Sequence, residues 1–187
     1  LVVVGQKIFT ALDTFSIMAI PFFILSGNLM IAGGLSKRLV NFAMSLLARV
    51  RGGLALASVL SCAMFGALSG SGPATVISIG GMMYPELIKQ GYDEEKMCGL
   101  IATAGTLGPI IPPSIVMVFY GTVTGVSITQ MFAGGIGAGL LLAVALFGVT
   151  IFLANKEKWP KWDSSVEKPE PPLEESSQAA PETTKPV

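Results

Sequence analysis

Residues 105–114, GTLGPIIPPS, have the clearest capacity for chemistry, because prolines at 109, 112 and 113 interrupt an apolar segment. In an α-helix a proline cannot donate to the carbonyl four residues before it, so each proline would leave one carbonyl unpaired. Those carbonyls belong to Gly105, Gly108 and Pro109. Unpaired backbone at membrane depth is tolerated inside protein or beside a watery cavity. The stretch therefore predicts either a simple kink or a broken helix that offers oxygen to an ion or substrate.

A second interruption, SGSGP at residues 69–73, divides the apolar segment 52–87 into two limbs. Residues 54–68 would span about 22 Å as a helix, less than the roughly 30 Å of a bilayer core. The pattern predicts a re-entrant helical hairpin whose tip lies inside the protein. Ser71 or Gly72 is expected to cap the second limb, with Pro73 at its first helical position.

Two such breaks at one depth predict a shared site. Helix ends before Ser69 and Gly108 would offer oxygen to a cation, and half-helices beginning near Pro73 and Pro113 would offer N–H groups to an anion. We expect Na⁺ to contact Ser69, Gly70, Ser71, Gly72, Gly105, Thr106, Gly108 and Pro109. We expect a carboxylate substrate to contact Pro73, Ala74, Thr75, Pro113 and Ser114.

The hydroxyl groups of this predicted site have two possible roles. Those of Ser69, Ser71, Thr75, Thr106 and Ser114 either complete the Na⁺ shell or bond their own helix backbone. The breaks lack a buried Asp, Glu or His, which argues against a proton relay. We expect no catalytic residue, no cofactor and no metal other than Na⁺ as a coupling ion.

The elements that position these residues are those of a membrane protein. The 187 residues have a mean hydropathy of +0.67 and only 13% are charged, which excludes an ordinary soluble domain. Residues 52–85 and 97–155 contain no Asp, Glu, Lys, Arg or His. The fold class is therefore an all-α integral membrane protein within a lipid bilayer, with no nucleic-acid partner expected. Cys62 and Cys98 lack CxxC spacing and are interpreted as small buried apolar residues.

We divide the chain into a membrane domain at 1–162 and a disordered tail at 163–187, which is rich in Pro, Glu, Ser and Thr. Within the domain the predicted elements are a transmembrane helix at 14–36, an interfacial amphipathic helix at 37–51, the re-entrant hairpin at 52–88, the broken transmembrane helix at 97–126 and a transmembrane helix at 131–154.

The amphipathic segment is expected to begin at a cap, Ser36, and to carry one apolar stripe. Leu39, Ala43, Leu46 and Val50 form that stripe, and Lys37, Arg38, Asn41, Ser45 and Arg49 lie opposite. It either lies on the membrane surface or packs on protein. Further along, Gly91 is expected to end a helix, Asp93 to cap the next, and Trp159 and Trp162 to lie at the interface.

The distribution of basic residues tests the hairpin independently of its motif. If the hairpin enters and leaves on one side, Lys7 is alone opposite a group of nine basic residues. That group is Lys37, Arg38, Arg49, Arg51, Lys89, Lys96, Lys156, Lys158 and Lys161. Because cytoplasmic loops accumulate Lys and Arg, the group is placed in the cytoplasm. Two short full crossings would give the same sidedness.

Four stretches carry a family resemblance: IPFFILSGNLM at 20–30, SGSGPA at 69–74, GYDEEKMCGLIATAGTLGPIIPPS at 91–114 and VFYGTVTGVSITQMFAGGIGAGLLL at 118–142. Together they resemble the large membrane subunit of TRAP transporters, the tripartite ATP-independent periplasmic transporters. The resemblance implies a multi-pass permease of the bacterial inner membrane that imports organic acid anions with Na⁺. The expected cargo is a C4-dicarboxylate or sugar acid.

The resemblance further implies a periplasmic substrate-binding protein and a small membrane subunit as partners. It implies an elevator mechanism built from two inverted repeats, of which this chain resembles the first, with the Na⁺ site at 69–72 and 105–109. Because a second hairpin and a second broken helix are absent, a fragment, one half of a split permease or a decayed gene product is expected. Two alternatives are a non-transporting membrane scaffold and an intramembrane serine protease, which the absence of any histidine disfavours.

Overall fold

The computed structural model describes residues 3–6, 15–47 and 49–160, with backbone alone for 15–19. Within these ranges the regular structure is helical and no strand occurs. The all-α prediction is therefore confirmed. The tail at 163–187 and Trp162 lie outside the described residues.

The helices are numbered here in chain order, apart from a helical turn at 3–6. They are α1 Phe15–Ala32, α2 Leu35–Leu47, α3 Gly53–Ser69, α4 Gly72–Thr75, a π-helical turn Val76–Gly80, α5 Gly81–Lys89, α6 Glu94–Gly105, α7 Ile115–Thr124 and α8 Ile128–Lys156. In the described part of the chain, α8 is the one unbent helix long and apolar enough to cross a membrane. The pair Ile20–Ala32 and Leu35–Leu47, bent by 65°, passes the same test together.

The first helix ends earlier than the predicted 14–36. Gly33 and Gly34 follow Ala32, and Gly34 has a φ of +70°, a left-handed conformation that suits glycine and stops the helix. Because α2 then begins at Leu35, the prediction that Ser36 caps it is wrong. Ser36 instead lies inside the first turn of α2 and is buried.

Helix α2 packs along α3, as one of the two alternatives for the amphipathic segment proposed. Its buried residues are Ser36, Val40 and Ala43. Within the predicted apolar stripe Ala43 is buried against α3, whereas Leu46 and Val50 are exposed, so the stripe is not buried in protein as a whole. The small side chain of Ala43 allows close approach to α3, and α2 ends at Leu47, so Val50 no longer follows its periodicity. An interfacial location for α2 stays a prediction.

The segment predicted as a hairpin has that shape. Helix α3 forms one limb, and α4, the π-helical turn and α5 return along it. With 17 residues α3 is about 26 Å long. It is the central helix, because α1, α2, α6 and α8 all pack against it. The position of the hairpin in a membrane stays a prediction.

The connection from the hairpin to the broken helix has the predicted chemistry. Gly91 has a φ of +82° directly after α5, and its N–H donates to the carbonyl of Ile88 at 3.0 Å. Asp93 then caps α6 by accepting from the Lys96 N–H at 3.1 Å. Both predictions are confirmed.

The open end of the hairpin is held to the end of α8 by a group of contacts that we call the base clasp. Its residues are Gly52, Tyr92, Lys96, Glu157, Trp159 and Pro160. Lys96 Nζ lies 2.8 Å from Glu157 Oε1, and the Trp159 indole N–H donates to Glu157 Oε2 at 3.0 Å. The Tyr92 and Trp159 rings meet edge to face at 5.3 Å between centroids. The clasp brings the starts of α3 and α6 and the end of α8 together, as the basic-residue pattern requires.

Trp159 differs from the sequence prediction. It was expected at the membrane interface, whereas its side chain is buried against Tyr92 and Gly52. A Cβ built on Gly52, whose φ is +68°, would lie 2.6 Å from the Ala154 Cβ and 3.2 Å from Cε3 of the indole, so a larger residue would displace the end of α8 and crowd this ring. Trp159 is therefore a packing residue of the protein.

Candidate ion and substrate site

The hairpin tip begins where glycine ends α3. Gly70 has a φ of +63°, and its N–H donates to the Gly66 carbonyl at 2.8 Å. Ser71 is extended and its hydroxyl accepts from the Ala74 N–H at 3.4 Å, which makes it the cap of α4. The predicted cap at Ser71 is confirmed. Helix α4 begins at Gly72, so Pro73 occupies its second position rather than the predicted first.

Three oxygen atoms lie close together behind this tip, and we call them the tip oxygens: Ser69 Oγ, Thr75 Oγ1 and the Ser71 carbonyl oxygen. The two hydroxyl oxygens are 3.3 Å apart, and Thr75 donates to the Ser71 carbonyl at 2.7 Å. The side chains of Ser69 and Thr75 are buried. All three groups are neutral, so they offer a cation dipoles without a formal charge.

The break contains a backbone hydrogen bond that the positions of its prolines did not lead us to expect. After α6 ends at Gly105 the chain continues as tight turns, and the Gly108 N–H donates to the Gly105 carbonyl at 3.1 Å. The prediction that this carbonyl lacks a partner is wrong, because an i to i+3 bond replaces the lost i to i+4 bond. In the described residues the carbonyls of Gly108 and Pro109 accept no hydrogen bond, as predicted.

The second half of the broken helix starts at a buried cap. Ser114 is fully buried, and its hydroxyl accepts from the Met117 N–H at 3.5 Å at the start of α7. Between the halves the backbone carries prolines at 109, 112 and 113, and the Pro112–Pro113 bond is cis. The structure thus shows a true break between α6 and α7 rather than a kinked continuous helix.

The hairpin tip lies directly on this break, with backbone against backbone. A Cβ built on Gly108 would lie 3.0 Å from the Ser71 carbonyl oxygen and 3.2 Å from the Gly72 nitrogen. A Cβ built on Gly66 would lie 2.8 Å from the Gly108 Cα. The separation at Gly66 is shorter than real Cβ contacts, and a Cβ on Gly108 would push the Ser71–Gly72 backbone back by a few tenths of an ångström, so the glycines allow the two breaks to meet this closely.

The start of α7 completes the junction from the other side. A Cβ built on Gly70 would lie 2.7 Å from the Pro113 carbonyl oxygen and 3.1 Å from the Ile115 nitrogen. The end of α3 therefore faces the beginning of α7. One helix end that carries partial negative charge thus lies against one that carries partial positive charge.

Most of the residues predicted to bind a cation are brought together here. Gly70 and Ser71 contact the break as described, and a Cβ built on Gly72 would lie 3.2 Å from the Gly105 carbonyl oxygen and 3.4 Å from Pro109 Cδ. Ser69 lies within the tip, where its hydroxyl accepts from the Ser71 N–H at 3.4 Å. Thr106 is the exception, because its side chain is exposed and its hydroxyl donates to the Thr103 carbonyl at 2.7 Å. That bond to its own helix is one of the two roles expected for these hydroxyls.

The residues predicted to bind an anion lie at the same junction but offer few free donors. Pro73 and Pro113 have no N–H, and the N–H groups of Ala74 and Thr75 donate to Ser71 at 3.4 and 3.1 Å. The Thr75 hydroxyl belongs to the tip oxygens. Ser114 is buried at the cap of α7. Anion binding by these residues stays a prediction.

Sequence reasoning missed the contacts that align the second limb with α6. Val76 and Gly80, one turn apart in the π-helical turn, pack on Gly105 and Ile101 of α6. A Cβ on Gly105 would overlap the Val76 side chain. The signal available in the sequence was the glycines, which mark places where two helices approach closely. A glycine does not show, however, which helix it packs against.

Comparison with known proteins identifies the family of the chain. The family model described as "Tripartite ATP-independent periplasmic transporter, DctM component" matches residues 1–185. The C4-dicarboxylate TRAP transporter large permease protein DctM of Vibrio cholerae is 47% identical over 162 residues, covering 84% of this chain and 36% of the relative. The protein of that name from Rhodobacter capsulatus is 42% identical over 176 residues, covering 87% and 40%.

A relative named for a different compound matches as well. The isethionate TRAP transporter permease protein DctMQ of Oleidesulfovibrio alaskensis is 46% identical over 156 residues, covering 83% of this chain and 25% of the relative. The chain thus spans a quarter to two fifths of the length of these relatives. They are transport permeases and not enzymes, so the serine-protease alternative is wrong. The chain belongs to the DctM family of tripartite ATP-independent periplasmic (TRAP) transporter permeases.

Proposed function

We propose that this chain forms the Na⁺-binding half of a large TRAP permease that imports organic acid anions across the bacterial inner membrane. The complete permease would work with a periplasmic substrate-binding protein and a small membrane subunit, and it would cross the membrane several times. The two DctM relatives are named for C4-dicarboxylates and the DctMQ relative for isethionate, which supports a small organic anion as cargo.

One observation carries the proposal: the hairpin tip is seated on the break between α6 and α7. The tip oxygens, of which the Ser69 and Thr75 hydroxyls are buried, lie beside Gly108. The carbonyls of Gly108 and Pro109 accept no hydrogen bond in the described residues. Neutral hydroxyl and carbonyl oxygens suit a hard monovalent cation, and the stretches 52–85 and 97–155 contain no titratable carboxylate or histidine for proton transfer. Na⁺ is therefore the proposed coupling ion.

The anion is proposed to bind next to the cation, at the start of α7. A helix of this length carries partial positive charge at its N-terminus, where Ser114 and Ile115 lie close to Gly70. Binding of Na⁺ at the tip would fix Gly70 against α7 and so position these donors. This order of events couples ion binding to anion binding without any charged side chain.

Thermal stability of the purified chain in detergent, measured against Na⁺ with K⁺ as the ionic-strength control, tests the ion site. A ligand at about a hundred times its dissociation constant stabilises the folded state by about 2.7 kcal/mol, so a Na⁺-specific rise in melting temperature is expected. Gly108→Ala should abolish that rise by pushing the tip off the break.

Gly99→Ala is the matched control, because Gly99 lies on the same helix as Gly105 and a Cβ there would meet nothing within 4 Å. It should keep the Na⁺-specific rise in full. Equal stabilisation by Na⁺ and K⁺ in the unaltered chain would contradict the proposal and favour a scaffold that does not transport.

A further inference from the structure

Helix α2 presents an outward face that packs on nothing in the described chain. Its inner residues Ser36, Val40 and Ala43 are buried against α3, whereas Phe42 is 55% exposed and Leu46 is 63% exposed. These two side chains are four residues apart and therefore adjacent on the helix surface. Val50, just after the helix, is 48% exposed.

Four cations surround these apolar side chains. Lys37 and Arg38 precede Phe42 on the exposed side of α2, and Arg49 and Arg51 follow Leu46 in the connection to α3. In the described residues the ion pairs involve Lys96 alone among the cations, so none of the four has an acidic partner. The sequence from residue 14 to residue 85 contains no Asp or Glu that would neutralise them locally.

The orientation of α2 also suits a membrane surface. The axis of Leu35–Leu47 is bent by 65° from that of Ile20–Ala32, an apolar segment without charge. If Ile20–Ala32 stands near the membrane normal, as transmembrane helices do, α2 runs closer to the membrane plane than to the normal. Its outward face would then meet the level of the lipid headgroups.

We propose that the outward face of α2, together with Arg49 and Arg51, binds anionic phospholipids of the cytoplasmic leaflet. Phe42, Leu46 and Val50 would lie at the boundary of headgroups and acyl chains, and the four cations would contact lipid phosphates. An unpaired cluster of cations beside exposed apolar side chains favours a lipid over a protein partner, which would have to supply four acidic groups. This binding is independent of the Na⁺ site.

Native mass spectrometry of the purified full chain tests the surface, with equal amounts of phosphatidylglycerol and phosphatidylethanolamine of the same acyl chains. Preferential retention of phosphatidylglycerol is expected. Because each basic residue near an anionic surface strengthens binding, Arg38→Gln with Arg49→Gln should reduce the preference at least about tenfold. Lys89→Gln with Lys156→Gln removes the same charge from exposed positions away from the apolar side chains of α2 and should reduce the preference much less.

Two further measurements distinguish a surface that binds whole lipids from a site that binds only a phosphate group. Soluble glycerol phosphate should fail to displace the lipid, and Phe42→Gln with Leu46→Gln should lower retention of phosphatidylglycerol several-fold. Circular dichroism should show all variants folded, because the changed side chains are exposed. Equal retention of both lipids, full displacement by glycerol phosphate, or a preference that survives the Arg38 and Arg49 changes would overturn the proposal.

Discussion

The two ends of the helical hairpin are held by opposite kinds of contact. At the tip, glycine backbone lies against glycine backbone and buried neutral oxygens, and no charged side chain takes part. At the base clasp, a lysine, a glutamate and two aromatic rings hold α8 to the start of α6. Backbone contacts leave oxygens and dipoles available for a ligand, whereas the side chains of the clasp already satisfy one another.

This difference assigns separate roles to the two ends. The tip packs closely on the break, where the carbonyls of Gly108 and Pro109 accept no hydrogen bond from a described residue, which suits a region whose geometry changes with ligand binding. The clasp combines a buried indole with a charged hydrogen-bonded pair, which suits a permanent attachment. The tip should therefore respond to Na⁺ and the clasp should not.

The largest expected effect is at the clasp. Trp159→Ala removes a buried indole that packs on Tyr92 and beside Gly52, and should lower the free energy of unfolding in detergent by about 3 kcal/mol. Denaturant titration followed by circular dichroism gives this value. Trp159→Phe keeps a ring against Tyr92 and should lose less than half as much, while both variants keep the Na⁺-specific stabilisation. Loss of that stabilisation in either variant would show that the two ends are not separate.

The next effect is at the tip. Gly66→Ala places a Cβ 2.8 Å from the Gly108 Cα, where backbone has to move, and should lower the free energy of unfolding by about 2 kcal/mol. Gly137→Ala in α8 adds the same methyl group where nothing lies within 4 Å and should be neutral or slightly stabilising. Similar destabilisation by both changes would mean that the close approach at the tip contributes nothing, and denaturant titration distinguishes the cases.

A smaller effect separates the tip oxygens from other hydroxyls. Thr75→Val removes the buried hydroxyl that donates to the Ser71 carbonyl at 2.7 Å, at a cost of about 1 kcal/mol, and should also abolish the Na⁺-specific thermal shift. Thr106→Val removes an exposed hydroxyl that bonds its own helix and should keep the shift. If Thr106→Val, and not Thr75→Val, abolished the shift, the site would lie on the outer side of the break.

The sequence identified the tip far better than the clasp, for a physical reason. Prolines and glycines dictate backbone geometry locally, so residues 69–73 and 105–114 showed the breaks, the Ser71 cap and the unpaired carbonyls of Gly108 and Pro109. The exact pairing of Gly66 with Gly108 depends on how α3 crosses α6, which no local pattern encodes. The hydrogen bond from the Gly108 N–H to the Gly105 carbonyl was not predicted, because the chain forms tight turns after α6 instead of continuing as a helix.

The clasp escaped prediction because its members are far apart in the chain. Tyr92 and Trp159 are individually ordinary amphipathic aromatics, and only the return of α8 to Gly52 shows that the indole is buried. The apolar stripe of α2 shows a similar limit. Leu46 matches the helical period of the stripe, but the axis about which α2 packs on α3 decides which of its residues are covered by protein.

The smallest effect is the pH dependence of the clasp. The bonds that Lys96 and Trp159 donate lower the pKa of Glu157 from its ordinary 4.5, and the Glu157 carboxylate raises the pKa of Lys96 from its ordinary 10.5. A lowered carboxyl pKa gives stability that is complete above pH 4.5 and is lost as pH falls through the lowered value. A raised lysine pKa gives stability that is complete below pH 10.5 and is lost above it.

Burial also raises the pKa of Tyr92 to about 12, so ionisation of its phenol adds to the alkaline loss above pH 10. The melting temperature should therefore be level between these limits and fall on both sides. Glu157→Gln should flatten the acid side, whereas Glu95→Gln, at an exposed position of α6, should leave it unchanged. Since the tip has no titratable group, the Na⁺-specific shift should keep its size across the level range. If the Na⁺-specific rise in melting temperature changed with pH together with the stability of the clasp, the tip and the clasp would be energetically coupled, contrary to the separation of their contacts.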